Sequence, residues 1–474
     1  MKHILLLTLA YSFLLSSEEV LLKVKNLEEE IAKLKQEMHT HKEELDEHFP
    51  IIEANERKSI LDKINLSPEL LIRLDKLRYA TGKIGSNGDA TLVDPSDPTF
   101  YRRDRYTKNF QPAGYVRMRL NMNAQMDNLK FYGRLLYANS SQSHERLCIL
   151  SHDIKTAPEG SAFDVDRAYI DYTPNKNNGG NFTFSFGILP TSGGTPMHYA
   201  QNKQRSSMFP ALVFDMNTYG LIVTQKFFDT MYVRAIAAKA YTLPAEFYPY
   251  QCNRENIDNA NVFGLYSDIG FDFLGSSLVS FGINMLHDLK AHPYLGPDID
   301  ASYAHELGDI LTYGVGIDIN NFLGTSHVVF VHSAASSPNP NGAKDDYKIT
   351  PATPELFTVE DYASGPMIND MGYSLYLGGK YNFDTNIAFG AEYNYGSKYW
   401  FGATQGAEDI FNKLALRGEA VETYAIWNFY KNLNAKAGYL YMKENYTGSG
   451  WHFGEPATKD AKQNIYYLNL EAKF

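Results

Sequence analysis

Long apolar runs are scarce in this sequence. Past the first fifteen residues no stretch approaches the roughly 18 to 20 consecutive apolar residues that a spanning helix needs, and mean hydropathy is -0.35. A bundle of transmembrane helices is thereby excluded. A membrane-spanning barrel is not, because its strands need only about 9 to 11 residues with alternate ones apolar. Cysteine is nearly absent, with Cys148 and Cys252 the two in 474 residues, and neither a CxxC nor a zinc spacing occurs. No glycine-rich phosphate loop or basic nucleic-acid patch is present. His332-Ser333 and the scattered carboxylates give no spacing that fixes a nucleophile, a base and an orienting group. No enzymatic activity, cofactor, metal or nucleic-acid partner is therefore expected. Tryptophan is rare at three residues, whereas 34 Tyr and 28 Phe make up most of the 14% aromatic content.

What is present begins with a secretory layout. Met1-Lys2-His3 precedes an apolar stretch from Ile4 to Leu15, so residues 1–17 read as a signal peptide whose exact cleavage point stays open. Between residues 18 and 56 apolar positions recur in steps of four and three. With Val24, Ile31, Met38 and Leu45 at a, the d positions hold Leu27, Leu34, His41 and His48. Glu30 and Glu37 at g face Lys35 and Lys42 at e, which suits parallel chains, and a coiled coil is expected here. His39 and His41 are two apart and point to different faces of one helix, so they do not share a metal ion.

Past Pro50 the heptads stop, and segments of period-two alternation begin, separated by Gly, Asn, Asp, Pro and Ser clusters. From Asn386 to Tyr395, Ile387, Phe389, Ala391, Tyr393 and Tyr395 share one face. Phe182, Phe184, Phe186 and Ile188 do the same, as do Val116, Met118, Leu120 and Met122 against Arg117, Arg119, Asn121 and Asn123. The connections alternate long and short. Residues 57–474 are accordingly predicted to be an all-β transmembrane antiparallel barrel of about 16 strands, within a range of about 14 to 18, with long outer loops and short periplasmic turns. Cys148 and Cys252 both fall in outer loops, where one bridge or two unpaired thiols are open alternatives.

The last strand places Tyr466, Leu468, Leu470, Ala472 and Phe474 on one face and Tyr467, Asn469, Glu471 and Lys473 on the other. A greasy face ending in an aromatic residue resembles the C-terminal signal by which the barrel-assembly machinery recognises its clients. Asp166-Arg167-Ala168-Tyr169-Ile170-Asp171-Tyr172 and Phe186-Gly187-Ile188-Leu189-Pro190 resemble paired strand motifs of Gram-negative porins, most closely a porin-like family of epsilon-class proteobacteria. The acidic Pro-Glu-Phe-Gly-Gly-Asp type of constriction motif is missing, and Gly193-Gly194 is its faint echo.

The resemblance implies an outer-membrane porin that lets small hydrophilic solutes diffuse, embedded in lipid and assembled as a trimer. It also implies that the third outer loop, residues 190–217, folds into the lumen, which makes His198, Lys203, Arg205 and Asp215 constriction candidates. Strand alternation sends Arg117 and Arg119 to the lumen, with Arg134 and Arg167 from nearby strands, and four guanidinium groups there would favour anions. Composition cautions against this. The region from Glu18 carries 43 basic and 55 acidic residues, of which residues 18–56 hold 5 and 12, leaving about -5 on residues 57–474. Pairing of these arginines with Asp104, Asp164, Asp166 or Glu392 is the competing expectation. A structural or adhesive protein, linking the barrel to the cell wall through the coiled coil, is the second functional reading.

Overall fold

The computed structural model describes residues 25–26, 29–38, 64–81, 91–92, 101–102, 106–141, 143, 146, 160–174, 181–240, 260–272, 274–291, 305–340, 368–384, 386–404, 409–446, 456 and 458–474. Residues 29–38 are α-helical, with Ile31, Leu34 and Met38 exposed. They belong to a separate unit ending at Ile64. The signal peptide, the rest of the expected coiled coil, His39, His41, His48, Asp104, Cys148 and Cys252 lie outside the described residues.

The second unit, Asn65–Phe474, is built from strands β1 (Ile64–Thr81), β2 (Ala113–Met126), β3 (Leu129–Ser140), β4 (Gly160–Tyr172), β5 (Phe182–Leu189), β6 (Thr218–Phe227), β7 (Met231–Ala240) and β8 (Asn261–Asp272). It continues through β9 (Ser276–Ala291), β10 (His305–Asn320), β11 (Val328–Pro340), β12 (Gly372–Asn382), β13 (Ile387–Gly396), β14 (Gly418–Tyr430), β15 (Leu433–Tyr446) and β16 (Thr458–Lys473). Each strand pairs with its sequence neighbours, and β1 pairs with β16, so the sixteen strands close into an antiparallel barrel. A short segment, Tyr106–Asn109, extends the β2 side against Arg78–Thr81 of β1. Closure satisfies every strand edge, the condition for backbone in a hydrocarbon environment. The seam is in register: Leu70, Ile72 and Leu74 oppose Ala472, Leu470 and Leu468.

Successive strands are joined alternately by long connections and by short turns such as 127–128, 228–230 and 431–432. Asp127 takes φ 47° in its two-residue turn, a conformation that a short polar side chain tolerates. Both barrel termini fall at the short-turn end. No described helix is long and apolar enough to cross a membrane.

The pleat sorts side chains by parity, and the sorting is the reverse of that in a water-soluble protein. Met118, Leu265, Ile283, Ile317, Val331, Phe389 and Leu468 point outward and are exposed. Arg73, Arg117, Arg119, Arg134, Arg234, Asp318, Glu392 and Glu422 point inward and are buried. At the short-turn end the outer surface carries Phe228, Phe383, Trp427, Tyr430 and Phe474, and near the long-loop end Tyr137, Phe163, Tyr219 and Tyr373. An apolar band between two aromatic girdles is the outer surface a bilayer requires.

Candidate channel constriction

Among the described residues two long connections turn inward rather than outward. The first, residues 190–217 between β5 and β6, is closed at its base where Thr191 Oγ1 donates to the Met216 carbonyl at 2.5 Å. Inside this closure Gly193 N donates to Asp215 Oδ1 at 3.0 Å. A Cβ on Gly194 would meet the Phe209 carbonyl oxygen at 1.7 Å, so only glycine lets the two limbs of the loop approach. Polar tethers fix the loop to distant strands. Arg167 donates to the Ser192 carbonyl at 2.7 Å and the Ser206 carbonyl at 3.1 Å. Thr195 Oγ1 donates to Asp318 Oδ2 at 2.6 Å, while His332 Nε2 lies 3.2 Å from Asp318 Oδ1. Arg205 contacts both oxygens of Asp268 at 3.2 and 3.1 Å, and Arg234 from β7 shares that carboxylate at 3.0 Å.

The second, residues 397–417 between β13 and β14, is described at 397–404 and 409–417. Trp400 Nε1 donates to the Leu414 carbonyl at 2.7 Å and Arg417 Nε to the Trp400 carbonyl at 2.9 Å. Asp409 caps the turn through the Phe411 and Lys413 amides at 3.1 and 2.8 Å. The two loops join where Asp215 N donates to the Ala403 carbonyl at 2.8 Å. They bring Met197, Phe209, Phe214, Trp400 and Phe401 against Tyr266, Phe330 and Tyr376 of the wall. Phe209 meets Tyr266 edge-on, with centroids 4.5 Å apart at 80°. An apolar core thus fills the lumen along β8 to β12.

A cavity lies to one side of the lumen, bounded by β1, β2, β14, β15, β16 and the two loops. Arg73, Arg117, Lys203, Lys413 and Lys436 line it together with Asp409, Glu422 and Glu471. Lys413 Nζ lies 2.6 Å from Glu392 Oε2 and also contacts Glu422. Burial would lower the Lys413 ammonium, but Glu392 and Glu422 override it and hold Lys413 well above the usual lysine range. Tyr467 lies flat across Gly438, where a Cβ would meet its ring at 2.3 Å, and its hydroxyl donates to Glu422 Oε1. Arg73 stacks on that ring at 4.2 Å and on Phe411 at 4.6 Å.

The expected site residues divide between cavity and scaffold. Arg117 and Lys203 line the cavity, and Lys203 reaches Glu471 at 2.7 Å. Arg134 is bidentate to Asp166, 2.7 Å on both arms, and Arg119 lies 3.7 Å from the same carboxylate. Arg167, Arg205 and Asp215 hold the first loop. His198 is largely buried against Tyr199, with ring centroids 3.9 Å apart, and burial pushes its imidazole down to about 4. Tyr466, Leu468, Leu470 and Phe474 face outward, and Phe474 N donates to the Pro68 carbonyl at 3.0 Å beside the seam. The sequence reading missed the second inward loop and with it Lys413, as well as Arg73, Glu422 and Lys436. The signal available was the apolar content of that loop, in Trp400-Phe401, Ile410-Phe411 and Leu414. Among the described residues no group of three or more His, Cys, Asp or Glu side chains could hold a metal ion.

A family model described as "Protein of unknown function (DUF3373)" matches residues 113–470. No curated protein matches the sequence. Among solved structures, OprB of Pseudomonas putida is similar at 11% identity and TM-score 0.46, over 89% of this chain and 97% of that one. OmpF of Salmonella typhi, in complex with daunomycin, gives 13% and 0.44 over 87% and 97%. The outer membrane channel DcaP of Acinetobacter baumannii gives 11% and 0.43 over 87% and 98%.

Proposed function

The chain belongs to the DUF3373 family, and we propose that it is an outer-membrane channel whose passage for small hydrophilic solutes is narrow and runs off-centre between two inward loops. The observation that carries this reading is the inverted parity of a closed sixteen-strand barrel, apolar outside and charged inside. An apolar outer band is costly in water and neutral in lipid, and a charged lumen is costly in lipid and stable only around water. The chain performs no chemical step in this reading. Filling of the lumen along β8 to β12 makes the passage smaller than sixteen strands alone would enclose, since the barrel diameter grows with strand number.

The four arginines divide the selectivity question. Arg119 and Arg134 share Asp166, and Arg167 is spent on loop carbonyls, so of the four only Arg117 lines the cavity. The decisive experiment is conductance of the purified, folded protein in planar lipid bilayers, together with liposome swelling in uncharged sugars of graded size. Discrete open levels with a low size cut-off are expected. A barrel that inserts and shows no stable open level would leave the structural or adhesive reading in its place.

A further inference from the structure

At the short-turn end of the lumen two lysines reach one loop residue, and a third lies near them. Lys380 lies two residues from the end of β12, Lys436 three residues past the start of β15, and Lys473 ends β16. Each occupies an inward position on its strand. Asn202 of the first inward loop, in a left-handed conformation at φ 52°, bridges Lys380 and Lys473. Lys380 Nζ donates to Asn202 Oδ1 at 2.6 Å, Lys473 Nζ donates to the Asn202 carbonyl at 3.2 Å, and Asn202 Nδ2 donates to Asn428 Oδ1 at 2.8 Å.

Counter-charge is unevenly shared in this cluster. Glu471 serves Lys203 at 2.7 Å and Lys473 at 3.6 Å, with Glu69 a further 3.8 Å from Lys203. Glu422 serves Lys413 and, at 3.2 Å, Lys436. Lys436 additionally stacks over Tyr424 at 4.1 Å. Among the described residues Lys380 makes no ion pair. Its hydrogen-bond partner is the Asn202 amide, and the charged groups that act on it are Lys436 and Lys473. An ammonium carries three donors, and among the described residues Lys380 Nζ is hydrogen-bonded to Asn202 Oδ1 alone. A half-buried positive charge near like charges is held at a cost that an anion between them would remove.

We propose that Lys380 and Lys473, joined through Asn202, form together with the nearby Lys436 a binding site for small oxyanions carrying two negative charges, at the periplasmic exit of the passage. Phosphate and a dicarboxylate share the required chemistry: oxygen acceptors for the free ammonium donors and charge enough to bridge at least two lysines. Asn202 also borders the cavity, so an anion leaving it meets the lysines next. The site belongs to the channel proposed above, yet its occupancy can be measured without transport.

Two measurements test it on the full chain. In planar bilayers bathed in potassium chloride, inorganic phosphate and, separately, succinate are added on the short-turn side and the chloride current is titrated. Calorimetric titration of the same anions into detergent-solubilised protein reads binding directly. Saturable block is expected, weakened roughly tenfold by Lys380→Gln, the loss of about one charge-assisted hydrogen bond, and further in Lys380→Gln/Lys473→Gln. Lys226→Gln, in an exposed pair with Asp229 on a short turn, should leave it unchanged. Response to both anions, or to one of them, supports the site and identifies its ligand. Saturable binding that survives the double substitution, or no saturable binding of either anion by the parent protein, would overturn it. An absence of conductance would refute the channel reading, and calorimetry would still decide the site.

Discussion

Replacing Phe209 and Phe214 together with alanine should unseat the first inward loop and enlarge the pore, whereas cutting any one polar tether should not. Phe209 and Phe214 are 1% and 0% exposed, and both pack on Tyr266. Each Phe→Ala change in such a setting costs about 3 to 5 kcal/mol. Their rings touch each other, centroids 6.0 Å apart, so the double change falls short of additivity, at about 5 to 8 kcal/mol. A single tether such as Thr195 to Asp318 contributes about 1.5 to 3 kcal/mol. Loss of Asp268 acts elsewhere: the Arg205 side chain is 19% exposed and can turn to water, while Arg234, at 2%, is left buried and unpaired. That penalty of about 3 to 5 kcal/mol weakens the wall rather than releasing the loop. Single-channel recording reads the difference, with Phe209→Ala/Phe214→Ala giving larger, noisier openings. Thr195→Val and Asp268→Asn should retain the parental level, with a lower unfolding temperature for Asp268→Asn on heated gels. A tether variant that opens the pore as far as the double alanine, or a double alanine with unchanged conductance, would refute apolar seating of the loop.

Deleting Phe474 should reduce the folded species in outer-membrane fractions, because the terminal aromatic completes the outward face presented during assembly; normal yield and localisation would count against that role. Arg117→Gln/Arg119→Gln should shift reversal potentials in asymmetric potassium chloride toward cations, mostly through Arg117, so Arg119→Gln alone should shift them little; an unmoved double variant would make both arginines scaffold. His198, with Asp318, Arg205, His332 and Lys380 around it, is held at about 4 against an ordinary 6.5. The unfolded chain therefore binds the extra proton first, so the contribution of a neutral His198 is complete above about 6.5 and is lost as pH falls toward about 4. Channel noise should rise over that interval and lose this dependence in His198→Asn; an identical pH profile in the variant would exclude the residue. If residues 18–56 coil in parallel as their heptads suggest, crosslinking in detergent should give trimers that a charge at Ile31 disperses, and a monomer as the sole parental species would refute the assembly.

Local physics made much of the barrel legible in the sequence. A pleated strand presents alternate residues to opposite faces, so period-two patterning alone separated Met118 from Arg117 and Leu468 from Tyr467. The final strand was readable for the same reason. What tertiary structure decided was who meets whom. Asp166 is the residue left over at a bulge, where Arg134 opposes Arg167 and Leu135 opposes Val165. That irregularity brings Asp166 onto Arg134, a choice among the four candidate carboxylates that spacing leaves open. The inward turn of residues 397–417 likewise depends on Trp400 and Phe401 finding apolar positions on β11 and β12, contacts set by barrel closure. Lys380, Lys436 and Lys473 are far apart along the chain, and strand order, register and one loop tip bring them together. Parity is a property of each strand by itself, whereas a site inside a barrel is a property of the register that all sixteen strands share.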